Sequence, residues 1–243
     1  MDAVTGAATH AATGTAADRL SLSCADLTTR EINAALAELP VGAHARIHHP
    51  GGRHNLAVGL TNRITVTVTG NAGYFIGGLC DGPDVDVEGF VGWSVGENLM
   101  SGTVRVRGNA SECAAASARG GTVIVEGDAS SRAGISLKGG TLLVGGDVGH
   151  MSAFMAQAGV MVVGGDAGPA LGDSLYETVI YVAGRIASLG SDARTEELGA
   201  DDVLLVKDLV ELAGFSHIDP ENVTKVASAR QLYNFDALKD QAY

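Results

Sequence analysis

The chain has 243 residues, 46% hydrophobic and 18% charged, which is enough to bury a sizeable core and excludes a disordered polymer. Its 34 glycines are about twice the usual ~7% share, yet no Gly-X-Y period exists, so a collagen is excluded. Sixteen Lys+Arg against 28 Asp+Glu leave a formal net charge of -12 with no dense basic patch, so there is no electrostatic footprint for nucleic acid or an anionic membrane.

The chain opens with an Ala/Thr-rich stretch, Met1 to about Leu20, that lacks both a basic n-region and a continuous apolar core. It predicts a disordered arm over residues 1–24 and no signal peptide. No apolar run approaches the ~20 residues of a membrane span. Cys24, Cys80 and Cys113 are odd in number and scattered, which argues against a disulfide framework and for a cytoplasmic location. Over 25–42, Thr28 and Glu31 form a capping-box pattern, and Ile32, Leu36 and Leu39 share one helical face before Pro40 and Gly42. This segment predicts a helical cap.

From residue 43 to 195 the chain repeats. Gly51, Gly70, Gly89, Gly108, Gly127, Gly146, Gly165 and Gly184 recur every 19 residues, each after a short run with period-two alternation. The runs include Val66-Thr67-Val68, Val104-Arg105-Val106 and Ile180-Tyr181-Val182, with Ile47-His48-His49 as a degenerate first copy. A unit of this kind cannot bury its apolar face alone, but stacked copies share a continuous core. The expectation is an all-β solenoid, a right-handed parallel β-helix of about eight 19-residue coils with short flanking helices. The left-handed hexapeptide form is the rival, and 19 is not a multiple of six. A small-residue column at Gly73, Gly92, Ser111, Ser130, Gly149 and Gly168, and another at Gly102, Gly121, Gly140 and Gly159, predict corners where glycine supplies positive φ and close coil approach.

Alternation also sorts the side chains. Val66, Val85, Val104, Val123, Leu142 and Met161 form one inward ladder, and Val68 through Val163 another. Between them, Asp86 neighbours Arg105, and Glu88, Arg107 and Glu126 alternate in sign as cross-strand pairs on a solvated face. The same outward column then turns apolar at Ile124, Leu143, Val162 and Tyr181, a candidate interface. Residues 196–243 predict a helix from Asp202, C-capped by Gly214, and a docking tail carrying Tyr233 and Phe235. Either that helix or a partner is expected to cover the apolar column.

The chemistry-bearing candidates are sparse. Gly145-Gly146-Asp147-Val148-Gly149 is followed by another strand where a dinucleotide fingerprint needs a helix. Asn71, Asn109, Asp128, Asp147 and Asp166 form a column read as turn chemistry, with cation binding as the alternative. His48, His49 and His54 lack a nearby cysteine or carboxylate and read as a solvated first coil. Cys80 shares a core ladder with Leu99, Ala118, Leu137, Ala156 and Leu175, while Cys113 has no base beside it. No Ser-His-Asp order stands out, so catalytic, cofactor and metal residues are not assigned.

Several longer words carry a resemblance. They are Gly52-Arg53-His54, Gly96-Glu97-Asn98-Leu99-Met100-Ser101-Gly102, Gly149-His150-Met151-Ser152-Ala153-Phe154-Met155-Ala156-Gln157, Gly165-Asp166-Ala167-Gly168, Gly172-Asp173-Ser174-Leu175-Tyr176-Glu177 and Ser228-Ala229-Arg230-Gln231-Leu232-Tyr233-Asn234-Phe235. With these, the chain resembles the glycine-repeat β-helix domain of the glutamate synthase large subunit. It looks closer still to the stand-alone version in N-methylglutamate synthase-type enzymes. The resemblance spans about residues 25–236 and implies a three-part enzyme of glutamate metabolism. Its other parts would be a class II amidotransferase-like subunit and an FMN-containing synthase-like subunit with an iron-sulfur cluster.

This chain begins Met1-Asp2-Ala3 where such an amidotransferase has an N-terminal cysteine, and its cysteines are too far apart for a cluster. The expectation is therefore a hetero-oligomeric scaffold subunit with no cofactor and no active site of its own. A formylmethanofuran dehydrogenase-like β-helix subunit is the alternative. A carbohydrate-active β-helix enzyme is disfavoured by the single tryptophan, and an adhesin-like rod by its varied outer columns.

Overall fold

The computed structural model describes residues 19–229; the rest of the expected N-terminal arm, with Tyr233 and Phe235, lies outside them. Among the described residues eleven strands form one sheet in the order β1-β2-β3-β4-β5-β6-β7-β8-β9-β11-β10. They are β1 Arg19–Ser23, β2 His44–His48, β3 Thr65–Val68, β4 Asp81–Val87, β5 Ser101–Val106, β6 Thr122–Val125, β7 Lys138–Val144, β8 Ala158–Val163, β9 Val179–Val182, β10 Ala193–Glu196 and β11 Thr224–Ser228. Helix α1 spans Thr29–Ala37 and α2 spans Ala200–Ala213. Strands β1 to β9 pair in parallel, each with the next, so the chain is a parallel β-solenoid. From β2 to β9 it completes seven turns, giving a rod of about 34 Å at ~4.8 Å per coil.

The inward ladders lie where alternation put them. Val66, Val104, Val123, Leu142 and Met161 are fully buried, as are Val68, Val87, Val106, Val125, Val144 and Val163. A second side of each coil is a corner where Val91, Ala110, Ala129, Val148, Ala167 and Ile186 bridge in parallel. The third side is a run of turns, and its backbone is unusual. Phe75, Ser94, Cys113, Arg132, Met151 and Ala170 repeat the left-handed conformation, φ +55 to +63, one above another. A non-glycine residue there costs roughly 1–2 kcal/mol. It is tolerated because the N–H groups at these positions bond to carbonyls of the following coil, as Phe75 to Trp93 and Ser94 to Glu112.

The structure revises four expectations. Residues 19–23 of the expected arm form β1, in register with β2 from Arg19↔His44 to Ser23↔His48. The first coil holds 21 residues, pairing Ala45 with Val66 and Ile47 with Val68. The offset of two keeps inward residues inward. Gly51 therefore leaves the ladder: a Cβ on Gly70 would meet Pro50, while Gly51 sits in its own turn at φ +53. Lastly, of the smaller columns expected to supply positive φ, Gly102, Gly121 and Gly159 do so, at φ +90, +66 and +106, whereas Gly73, Gly92, Gly140, Gly149 and Gly168 do not. The ladder glycines Gly89, Gly108, Gly127, Gly146, Gly165 and Gly184 also lie outside that region. They let coils touch: a Cβ on Gly165 would lie 2.7 Å from the Gly146 carbonyl carbon, and one on Gly184 2.4 Å from Gly165 O.

Both ends are closed. Helix α1 starts at the expected capping box, Thr28 N–H donating to Glu31 Oε2 at 2.8 Å and Glu31 N–H to Thr28 Oγ1 at 3.3 Å. Its Ile32 and Leu36 are fully buried in the same core as the inward ladders. Asn33 holds the helix to the first coil, donating to Asn55 O and accepting from Ala57 N–H, both at 2.8 Å. Asn62 donates to Leu36 O and Leu39 O at 2.9 Å, satisfying carbonyls at the helix end. At the far end β11 turns antiparallel to β9, and β10 pairs antiparallel outside it. The edge there is short and carries Arg194 and Glu196, which discourages further strand addition.

Candidate docking surfaces

The apolar column Ile124, Leu143, Val162 and Tyr181 is covered by the chain itself. These residues form a second core with Val206, Val210 and Ala213 of α2 and with Phe215, Ile218 and Val223 beyond it. As a free partner interface the column is therefore overturned; helical spacing from Asp202 already indicated the cover. Both ends of α2 are locked. Arg105 donates to Ala213 O at 3.0 Å and Leu212 O at 3.2 Å, placing a cation on the helix C-terminus, and pairs with Glu126 at 2.9 Å. Tyr181 donates to Asp202 Oδ1 at 2.6 Å, and Lys225 contacts Asp202 Oδ2 at 3.0 Å. Gly214 caps the helix at φ +79.

The charged face is wired diagonally. Asp86 stands opposite Arg105 in register but accepts both of its bonds from Arg107, at 3.0 and 2.7 Å, because Arg105 is drawn to the helix terminus. Glu88 reaches back two strands to Arg46 at 3.2 Å.

Burial pushes the Asp202 carboxyl upward, but bonds from Tyr181, Gly199 N–H and Lys225 outweigh it and hold the carboxyl below its ordinary value of 3.8. A carboxylate depressed by folding stabilises above its unfolded value and loses that share as pH falls through the lower one. Tyr181→Phe is therefore expected to bring the acid loss of α2 to a higher pH, and Asp202→Asn to flatten it. Urea midpoints between pH 2 and 5 check both; an unchanged acid profile in each variant contradicts the assignment.

The remaining candidates are structural. Asn71, Asn109, Asp128, Asp147 and Asp166 each present Oδ1 to a backbone N–H one coil on, at 2.6 to 3.1 Å. This is turn chemistry, and Phe90 fills the gap in the column. Arg185 ends it, reaching Asp166 Oδ2 at 2.6 Å. His54 lies away from His48 and His49: its ring stacks on Tyr74 at 4.3 Å, and its Nδ1 accepts the Tyr74 N–H at 2.8 Å. Arg53 donates to the carbonyls of Cys24 and Leu27, tying the α1 approach to the first coil. Among the described residues no three His, Cys, Asp or Glu side chains are grouped to hold a metal. Burial pushes the Cys80 thiol up to about 11, and it donates to Ala57 O at 3.1 Å; Cys24 and Cys113 are also raised, chiefly by burial. A protonated thiol is a poor nucleophile.

Among the described residues, groups of exposed apolar side chains lie on different sides of the rod. One is on the outer side of α2, where Leu204 (61% exposed), Leu205 and Leu212 (58%) face solvent. Separately, a recess of about 360 Å³ at the C-terminal end of α2 is lined by Val210, Phe215, Ile218 and Pro220, with Lys207 and Glu211 also on its wall. Another group is on the turn side, where Tyr74 and Trp93 stack at 5.3 Å and are each about half exposed. Gly73 and Gly92 make room for this stack, since a Cβ on either would collide with the ring of His54 or Tyr74. Sequence reasoning missed both surfaces. Leu204, Leu205 and Leu212 break the expected inner stripe, and Tyr74 and Trp93 stand 19 apart, so each could have been found as an off-pattern apolar residue.

Fold and surfaces together define the class: an end-capped parallel β-solenoid carrying one surface helix. Among the described residues no helix is long and apolar enough to cross a membrane. No protein-family model matches the chain. It is 47% identical over 224 residues to protein GlxC of Rhizobium meliloti (strain 1021), covering 90% of this chain and 98% of that protein. The chain belongs to the GlxC family.

Proposed function

We propose that the chain is a non-catalytic scaffold subunit of a glutamate synthase-like complex, of the N-methylglutamate synthase or glutamate synthase type. It would position an amidotransferase-like subunit and an FMN-containing synthase-like subunit, with FMN and the iron-sulfur cluster in the latter. The outer side of α2 carries this reading. The helix is fixed to the rod at both ends and along its inner face, yet three leucines on its outer side face solvent. A rigid helix with unspent apolar surface suits a permanent partner, because little ordering entropy remains to be lost on binding. The resemblance to the glycine-repeat β-helix supplies the identity of the partners, and membership of the GlxC family is compatible with it.

The test is reconstitution with the two partner subunits of the same organism. Leu204→Asp with Leu212→Asp touches only exposed positions and is expected to leave the melting temperature unchanged while weakening association at least 30-fold, about 2 kcal/mol. Undiminished association of that variant, with the wild-type complex formed, removes α2 as the docking element.

A further inference from the structure

At the first end of the rod, the outer face of β1 to β3 holds a cavity of about 330 Å³ whose polar wall is Ser21, His44, Arg46, His48 and Thr67. Helix α2 covers this face of the sheet farther along, over Ile124, Leu143, Val162 and Tyr181 of β6 to β9. Alternation on β2 turns His44, Arg46 and His48 outward, while Ala45 and Ile47 stay buried. Register sets Arg46 between Ser21 and Thr67, so its neighbour on either side is a hydroxyl and not an acid. No acidic side chain lines the cavity. Asp86, opposite Thr67, is held by Arg107 at 3.0 and 2.7 Å. Glu88 takes Nη1 of Arg46 at 3.2 Å, in a pair about half exposed on both sides. Among the described residues, Nε and Nη2 of Arg46, both ring nitrogens of His44 and the hydroxyls of Ser21 and Thr67 make no hydrogen bond. His48 touches only Thr69 Oγ1, by Nδ1 at 3.4 Å.

We propose that this cavity binds a small oxyanion. Arg46 holds its charge with the two guanidinium nitrogens that Glu88 leaves unused, and Ser21, Thr67 and the two imidazoles bond its other oxygens. A guanidinium, two hydroxyls and two imidazoles can all donate, whereas a carboxylate or phosphate oxygen can only accept, so wall and ligand are complementary. Arginine's planar fork suits two oxygens of one such group. The formal net charge of -12 does not forbid the site. Exposed charges more than about 8 Å away are largely screened at physiological ionic strength, so the groups on the wall decide. The cavity lies within the ~300–1,000 Å³ of small-ligand clefts. The Arg46–Glu88 pair is solvated and therefore weak, so it yields to a ligand that offers more than one acceptor. Alternate residues of a strand stand roughly 6.6 Å apart, so a ligand with two carboxylates reaches from Arg46 to one imidazole. A phosphate group is satisfied at Arg46 and the hydroxyls alone. The site is independent of the scaffold reading and leaves α2 free.

The test titrates the full chain with inorganic phosphate and, separately, with succinate near neutral pH at physiological ionic strength, following the histidine ring protons by NMR. The His44 and His48 signals are expected to shift and saturate with a Kd of about 1 mM. His217, whose ring bonds to Gly145 O beyond β7, is expected to stay in place. Arg46→Gln is expected to weaken binding about 10-fold or more, through loss of the charged fork. Glu88→Gln is expected to strengthen it about 3-fold or more, because Arg46 is released from a weak partner. Both positions are exposed, so the melting temperature is expected to hold in each variant. A pair with only a structural role would move both variants the same way. Tighter binding of succinate assigns a carboxylate ligand, and tighter binding of phosphate a phosphate-bearing one. The site is overturned by titrations with both anions that do not saturate at about 20 mM. It is equally overturned if binding survives Arg46→Gln or if Glu88→Gln binds no better than the wild type.

Discussion

Val162→Glu is expected to unseat α2. Val162 has no exposure and lies in the layer between the sheet and the helix, among Leu143, Tyr181 and Val210. A carboxylate there has no cationic partner, and an uncompensated buried charge costs roughly 3–5 kcal/mol or else stays protonated. Most of that cost falls on α2, because the inward ladders lie on the opposite face of the sheet. Limited proteolysis is expected to cleave the 197–223 region in the variant while the solenoid from β2 to β8 survives. Arg105→Glu is expected to be milder. It removes the bonds to Leu212 O and Ala213 O and places a negative charge at the helix C-terminus beside Glu126, but at the partly solvated rim. If Val162→Glu resists protease as the wild type does, the helix is not held by this layer.

Gly159→Ala is the second large effect. Gly159 has φ +106, and a Cβ there would lie 2.2 Å from the Gly140 carbonyl oxygen, a backbone atom that cannot move without opening two coils. Backbone strain and the forced separation together are expected to cost at least about 3 kcal/mol, or roughly 10 °C in melting temperature for a chain of this size. Gly52→Ala separates the two causes. It shares a positive φ, +75, but a Cβ there meets nothing within 4 Å, so only about 1 kcal/mol is expected. Equal losses from both substitutions would mean that φ alone, and not coil-to-coil contact, explains the glycines.

The solenoid was legible because its core is periodic. Val66 through Met161 repeat every 19 residues, and a column that must stay inside stays apolar whatever the corner geometry. The first coil was misplaced because Gly51 happens to keep the interval, while Pro50 takes the stacked position under Gly70. Strand β1 escaped notice for a related reason. It pairs with β2 across a helix, so its offset is 25 residues and no period announces it. Positive φ was expected of glycine, yet the turn side puts Phe75, Arg132 and Met151 in that region. Hydrogen bonding between stacked coils over-determines those residues, and no single-residue preference records it. The docking surfaces were the least visible. Leu204 and Leu212 differ from core leucines only in the side of the helix they occupy, which follows from where Val206 and Val210 are buried.

The scaffold account is tested most directly by the mass of the assembly with and without this chain. Native mass spectrometry of the amidotransferase-like and FMN-containing subunits is expected to show one particle holding both when this chain is present, and separate species when it is omitted. The isolated chain is expected to show no flavin absorbance and no turnover. Partner subunits that assemble and react at full rate without it, or a catalytic activity in the chain alone, would contradict the account.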